Sequence, residues 1–163
     1  MKVIIISGTP STGKSTLAKL LAKELNFERI NLSKLIDEKK LCEAFDEKNQ
    51  CKIIDLEKLI PVVIDLIKKS KKNLIIDSHI IHKLPKEFVD LCIITKTNLK
   101  ELDQRLAERG YSKEKVRDNL DAEIFDVCFT EAQEAGHSIL IVDTTHKIDK
   151  RELIKQIKEK LRI

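Results

Sequence analysis

Eight consecutive residues, Gly8-Thr9-Pro10-Ser11-Thr12-Gly13-Lys14-Ser15, fit the pattern G-x-x-x-x-G-K-S. Glycines at its first and sixth places let backbone N–H groups turn inward around phosphate oxygens, and a helix starting near Lys14 adds its positive dipole end. Lys14 then reaches the β- and γ-phosphates of ATP. Ser15 offers a hydroxyl to Mg2+, and Ser11 and Thr16 flank the same phosphates. The flanks strengthen the assignment: an apolar run, Val3-Ile4-Ile5-Ile6, precedes the motif, and Leu17, Leu20, Leu21 and Leu25 follow at helical spacing.

Asp77 closes the run Leu74-Ile75-Ile76-Asp77, and a carboxylate at the carboxyl end of a strand beside the phosphate loop is where a second metal-side ligand belongs, a loop or cap aspartate being the alternative. His79 stands two residues on, in reach of the phosphates. With a pKa near neutrality it would order a water or relay a proton; otherwise it is an ordinary loop histidine. Arg105 and Arg109 lie four apart on one helix and so share a face. Guanidinium groups suit polyphosphate better than ammonium groups, although Arg105 has an alternative partner in Glu101 one turn earlier. Arg109, beside Gly110 and Tyr111, is the stronger candidate.

These groups need a scaffold, and the chain supplies one. Strands are expected at Val3 to Ser7, Glu28 to Asn31, Asn73 to Asp77, Val89 to Thr95 and Ser138 to Asp143. Helical stripes lie between and after them, including Leu56, Leu59, Ile60, Val63 and Ile67, then Leu153, Ile154, Ile157 and Leu161. Apolar strands alternating with helices predict an α/β, doubly wound parallel sheet with helices on both faces. Pro61 predicts a kink in its helix. Asn98 with Glu101 reads as a capping box, Gly110 as a helix stop, and Ser112 as the cap of a helix running towards Gly136. The stretch from Phe27 to Asp55, of weak periodicity, reads as an insertion over the sheet.

At 163 residues the chain is the size of one domain, and no repeat or Pro/Gly-rich linker divides it. The net charge is +4, but acidic residues are interleaved with basic ones, so charge alone does not point to nucleic acid. The basic C-terminal segment, from Lys150 to Arg162, reads as a solvated helix face. Cys42, Cys51, Cys92 and Cys128 lack metal-ligand spacing and are expected to be buried thiols. No apolar run is long enough for a signal peptide or a membrane span, so a cytoplasmic location is expected.

With the phosphate loop, Asp77-Ser78-His79, Glu108-Arg109-Gly110-Tyr111 and Asp121-Ala122-Glu123-Ile124-Phe125 together, the chain resembles the sixth adenylate kinase isoform family, in its archaeal type. These are adenylate kinase-like ATPases of small ribosomal subunit maturation. The resemblance implies five parallel strands in the order 2-3-1-4-5, a monophosphate-binding segment at about 31–54 and a short lid at about 108–118. It implies AMP or another nucleoside monophosphate as acceptor, and a small-subunit ribosomal protein and rRNA as partners. Arg109 would touch ATP, and Lys147 would lie near the adenine. On the acceptor side Asp37 and Lys96 stand where the resemblance leads us to expect arginines, with Lys34, Lys39 and Lys40 as candidate replacements. Three function classes follow: a nucleoside monophosphate kinase, an ATPase assembly factor and a kinase of another small metabolite such as shikimate.

Overall fold

The computed structural model describes residues 1–47 and 51–163. Its main sheet contains β1 (Val3–Ser7), β2 (Glu28–Asn31), β5 (Leu74–Asp77), β6 (Leu91–Lys96) and β7 (Ile139–Asp143), all parallel, in the order β2-β5-β1-β6-β7. With the two strands outside this sheet left aside, that is the expected 2-3-1-4-5 order. Those two, β3 (Cys42–Asp46) and β4 (Cys51–Ile54), pair antiparallel.

The strands read as continuous apolar runs because both of their faces are covered. On one face Ile5, Leu74, Ile76, Cys92 and Ile94 pack with Leu32 and Ile36 of α2 (Leu32–Glu38) and Leu59, Val63 and Ile67 of α3 (Leu56–Lys69). On the other, Ile4, Ile6, Ile75, Leu91 and Ile93 meet Leu17 and Leu21 of α1 (Lys14–Leu25) and Leu153, Ile157 and Leu161 of α7 (Lys150–Leu161). Alternate residues of one strand thus serve two cores. Truncating a fully buried member such as Leu21 to Ala costs about 2–5 kcal/mol.

Several expectations change in the folded chain. The helix expected from Ser112 to Gly136 is two: α5 (Lys113–Ile124), capped by Ser112, and α6 (Val127–Glu134). Asp126, left-handed at φ 52°, separates them. Lys96 supplies the physical reason, since its Nζ donates to the carbonyl of Glu123 at 3.1 Å and to the Asp126 carboxylate, capping the end of α5 from outside. The capping box of α4 (Leu99–Glu108) is half formed: Asn98 Oδ1 accepts from the Glu101 N–H at 2.8 Å, but the Glu101 carboxylate turns to Arg105. Pro61 lies inside α3, as its place in the apolar stripe implied. The supposed insertion resolves into β2 within the main sheet, α2, and the β3–β4 pair beside them. Only Cys92 of the four cysteines is buried; Cys51 is exposed and the other two are intermediate.

Candidate phosphate and nucleotide site

The phosphate loop leaves the carboxyl end of β1 and enters α1. Gly8 has φ 146°, and a Cβ there would lie 2.4 Å from Thr95 Oγ1 and 2.7 Å from the Thr95 carbonyl, so no side chain fits. Gly13 is left-handed at φ 80°, and Ser11 is also left-handed at φ 69°, with its buried Oγ lacking a hydrogen-bond partner among the described residues. Threonines brace the turn: Thr12 Oγ1 meets Thr95 Oγ1 at 2.6 Å, and Thr144 Oγ1 donates to the Thr12 carbonyl at 2.7 Å.

Lys14 Nζ donates to the carbonyls of Gly8 and Thr9, both at 2.8 Å, folding the amine over its own loop. Burial lowers its pKa to about 8, with the Arg109 charge adding to the effect and Cys128 and Asp77 opposing it. An ammonium held there gains strongly from anionic phosphate oxygens. Ser15 Oγ donates to Asp77 Oδ2 at 2.7 Å, which brings the two expected metal-side groups together. A hydroxyl and a carboxylate, both hard oxygen ligands lining one cavity, fit Mg2+ beside nucleotide phosphates.

Asp77 has a second partner that the motif reading did not anticipate. Arg29 of β2 donates through Nε to Oδ1 at 2.7 Å and through Nη2 to Oδ2 at 3.0 Å. The register pairs Asn31 with Asp77, so Arg29 points along the sheet towards the carboxylate from two residues back. An arginine inside a strand of a covered sheet was the available signal, because a charge there needs a partner.

A cavity of about 1180 Å3 opens over these groups. Ser11, Gly13, Lys14, Ser15, Thr16, Asp77, His79, Arg105, Arg109 and Lys147 all line it, and Gly8 shapes the loop behind. Arg109 Nη1 meets the Tyr111 hydroxyl at 3.3 Å, and Lys115 Nζ lies 3.9 Å from the centre of the Tyr111 ring. Arg105 borders the cavity while it keeps Glu101 at 2.8 Å and donates to the Thr144 carbonyl at 2.9 Å.

The acceptor-side lysines stand elsewhere. Asp37 pairs with Lys52 of β4, and Lys96 pairs with Glu123 at 3.1 Å and with Asp126. Among the described residues neither lines the cavity, nor do Lys34, Lys39 and Lys40; Asn31, Ser33 and Cys51 do.

His79 faces the cavity with its ring open to solvent, yet the surrounding protein and then the charges of Lys14, His82 and Lys115 lower its pKa to about 4. It is therefore neutral at pH 7, not poised near neutrality, and can accept a proton but has none in excess to give. Behind it runs a hydrogen-bonded chain absent from the motif reading. Ser7 Oγ meets His82 Nδ1 at 2.6 Å, and His82 Nε2 meets Glu131 Oε2 at 2.5 Å. Burial lowers the His82 pKa despite the Glu131 carboxylate, so the neutral ring donates from Nε2 and accepts from Ser7. Ser7 is fully buried, which makes this a brace under the phosphate loop and not a nucleophile. Burial likewise raises the Cys128 thiol, and it pushes Cys92 up to about 12, so neither is a ready thiolate.

The AAA domain family matches residues 4–126. The adenylate kinase isoenzyme 6 homolog of Caenorhabditis elegans is 32% identical over 158 residues, covering 97% of this chain and 84% of its own. The chain belongs to the adenylate kinase isoenzyme 6 family. A second relative of that name, from Dictyostelium discoideum, is 34% identical across 86% of this chain and 79% of its own. The "Putative adenylate kinase" of Pyrococcus abyssi is 34% identical across 95% and 81%. The fold extends further than the family. The shikimate kinase from Acinetobacter baumannii in complex with shikimate aligns with a TM-score of 0.65 at 17% identity, over 98% of this chain and 92% of that one. As a member of the adenylate kinase isoenzyme 6 family the chain is an enzyme of the nucleotide kinase class. No helix among the described residues is long and apolar enough to cross a membrane.

Proposed function

We propose that the protein transfers the γ-phosphoryl group of ATP to a nucleoside monophosphate, AMP first. One observation carries this reading: the Lys14 amine and the Ser15–Asp77 pair share the floor of a cavity larger than the roughly 300–1,000 Å3 of an ordinary small-ligand pocket. Its wall extends from Arg105 and Lys147 at one side to Asn31, Ser33 and Cys51 at the other, which suits two nucleotides meeting over the loop.

In the transfer an oxygen of the acceptor's phosphate bonds to the γ-phosphorus as the bond to the β–γ bridging oxygen breaks, and ADP leaves with that electron pair. The loop N–H groups and Lys14 hold the donor's phosphates, and Lys14 exchanges the Gly8 and Thr9 carbonyls for phosphate oxygens as it does so. Ser15 and Asp77 would hold Mg2+, which when bound would supply charge neutralisation at the phosphates. Arg109 balances charge from the lid side, and Arg105 and Lys147 border the nucleoside end. Tyr111, stacked with Arg109 and Lys115, limits water at the transferring group.

The segment at about 31–54 would take the monophosphate and the one at about 108–118 would close over ATP. ATP hydrolysis accompanies transfer where the lid admits water, with neutral His79 as its proton acceptor. A role in small ribosomal subunit maturation, with a small-subunit ribosomal protein and rRNA as partners, is part of this proposal and rests on the sequence resemblance alone.

Measuring ADP formation from Mg·ATP with AMP varied tests the reading. Saturable stimulation by AMP, with two ADP formed per AMP consumed, is expected; ATP consumption indifferent to AMP and to other monophosphates would overturn it.

A further inference from the structure

Asp77 is held from two directions at once, by the Ser15 hydroxyl and by the side-on fork of Arg29. Its side chain is 5% exposed and that of Arg29 17%. Among the described residues Asp77 is the sole ion-pair partner of Arg29. The arginine is not part of the cavity wall, so it reaches the reaction through Asp77 and not by touching a nucleotide.

We infer that Arg29 is a positioning residue for the metal-side carboxylate, a built-in counter-charge that orients Asp77 and keeps its hold on the divalent cation weak. This rests on reading Asp77 as that carboxylate.

Two physical effects follow from one guanidinium. The bidentate fork fixes the plane of the carboxylate and leaves Oδ2 facing Ser15, so the oxygens are in place before any cation arrives. Its positive charge, hydrogen-bonded to the same carboxylate, repels a dication bound there. In a partly buried site such a like-charge interaction outweighs the loss of one orienting contact. A weakly held metal enters and leaves with the nucleotide. Once it has gone, Arg29 prevents a carboxylate in this dry position from standing uncompensated, which would be strongly destabilising. Lys14 feels the Asp77 charge, but its amine is hydrogen-bonded to the Gly8 and Thr9 carbonyls, so the direct contact to the carboxylate is that of Arg29.

The test compares the parent with Arg29→Met and Arg29→Lys. Mn2+ binding is followed by electron paramagnetic resonance in the presence of a non-hydrolysable ATP analogue, and steady-state kinetics are recorded with Mg2+, ATP and AMP varied in turn. Arg29→Met should bind Mn2+ more tightly, on the order of tenfold, while kcat falls and the KM for AMP stays within about twofold. Arg29→Lys keeps the charge but not the fork, so Mn2+ affinity should stay near the parent's while kcat falls. It also covers the case in which Arg29→Met fails to fold.

Unchanged or weaker Mn2+ binding in Arg29→Met, or parental kcat in Arg29→Lys, overturns the inference. So does a tenfold rise in the KM for AMP with metal affinity unchanged, which would make Arg29 an acceptor ligand. Asp77→Asn separates this from the underlying reading: if it leaves Mn2+ affinity untouched, Asp77 is not the metal-side group, and both fall.

Discussion

Thr9 Oγ1 donates a 2.6 Å hydrogen bond to Glu123 Oε2, tying the phosphate loop to the last turn of α5. Glu123 is buried, and it also accepts from the Thr97 N–H at 3.2 Å and pairs with Lys96 at 3.1 Å. The same helix places Lys115, Asp118, Asn119 and Ala122 in the cavity wall. One carboxylate therefore joins the loop that holds phosphate to the helix that follows the lid.

Glu123→Gln keeps the shape but removes the charge opposite Lys96. The lysine retains Asp126 and is partly exposed, so the loss should fall below that of a fully buried broken pair, at about 1–3 kcal/mol. Urea denaturation measures it. The KM for ATP should rise in the same variant, because the amide's NH2 end faces a donor that a carboxylate oxygen satisfied. Parental stability together with parental KM would show that Thr9 is held by the loop itself.

Lys14→Met should abolish turnover yet raise the stability of the nucleotide-free protein. Its folded pKa of about 8 lies below the usual 10.5, so the unfolded chain binds the proton more tightly. The resulting cost, up to about 3 kcal/mol, is complete below pH 8 and disappears as the pH rises towards 10.5. Thermal unfolding of parent and variant between pH 7 and 9.5 should show a stability gap that narrows above pH 8. A gap that widens with pH reverses the sign and refutes the assignment.

His79 titrates lower than an unfolded histidine, so the unfolded chain takes up its proton first and stability drains away as the pH falls from about 6.5 towards 4. Exposure of the ring to the cavity reduces the size of the effect but not its sign. His79→Ala should flatten that part of the stability profile, and at pH 7 it should slow ATP hydrolysis measured without AMP by about tenfold or more. Unchanged hydrolysis would leave His79 as a wall residue of the cavity.

The parallel sheet and the phosphate loop were legible in the sequence because their signals are local. Strands such as Ile4-Ile5-Ile6 and Leu74-Ile75-Ile76 are apolar on both faces, and Gly8 and Gly13 serve turns that tolerate little else. The ties of Asp77 to Arg29, Thr9 to Glu123 and His82 to Glu131 span 48, 114 and 49 positions, and no periodicity encodes such distances. The break at Asp126 was hidden for the same reason, since Lys96, 30 residues away, stabilises it. Strand β3 went unread because its residues are mostly exposed and lack the alternation of a half-buried strand.

Asp37 decides how the acceptor side is organised. On the sequence alone its carboxylate faces the acceptor's phosphate, and Asp37→Arg should then lower the KM for AMP, since a charge-assisted hydrogen bond contributes about 1.5–3 kcal/mol, roughly tenfold to a hundredfold. In the structure Asp37 is an exposed residue of α2 paired with Lys52 of β4, outside the cavity wall. An exposed pair of this kind contributes little, and an arginine in its place would meet the Lys52 charge and turn to solvent. The expected outcome is therefore a KM for AMP within about threefold of the parent, with kcat preserved, in steady-state assays with AMP varied at saturating Mg·ATP. A tenfold fall would mean that α2 and the β3–β4 pair swing over the acceptor during turnover and carry position 37 to its phosphate. Ser33 of α2 and Cys51 of β4, which already line the cavity, would then travel with them, and Asn31 at the end of β2 would be the fixed edge of a closing acceptor site.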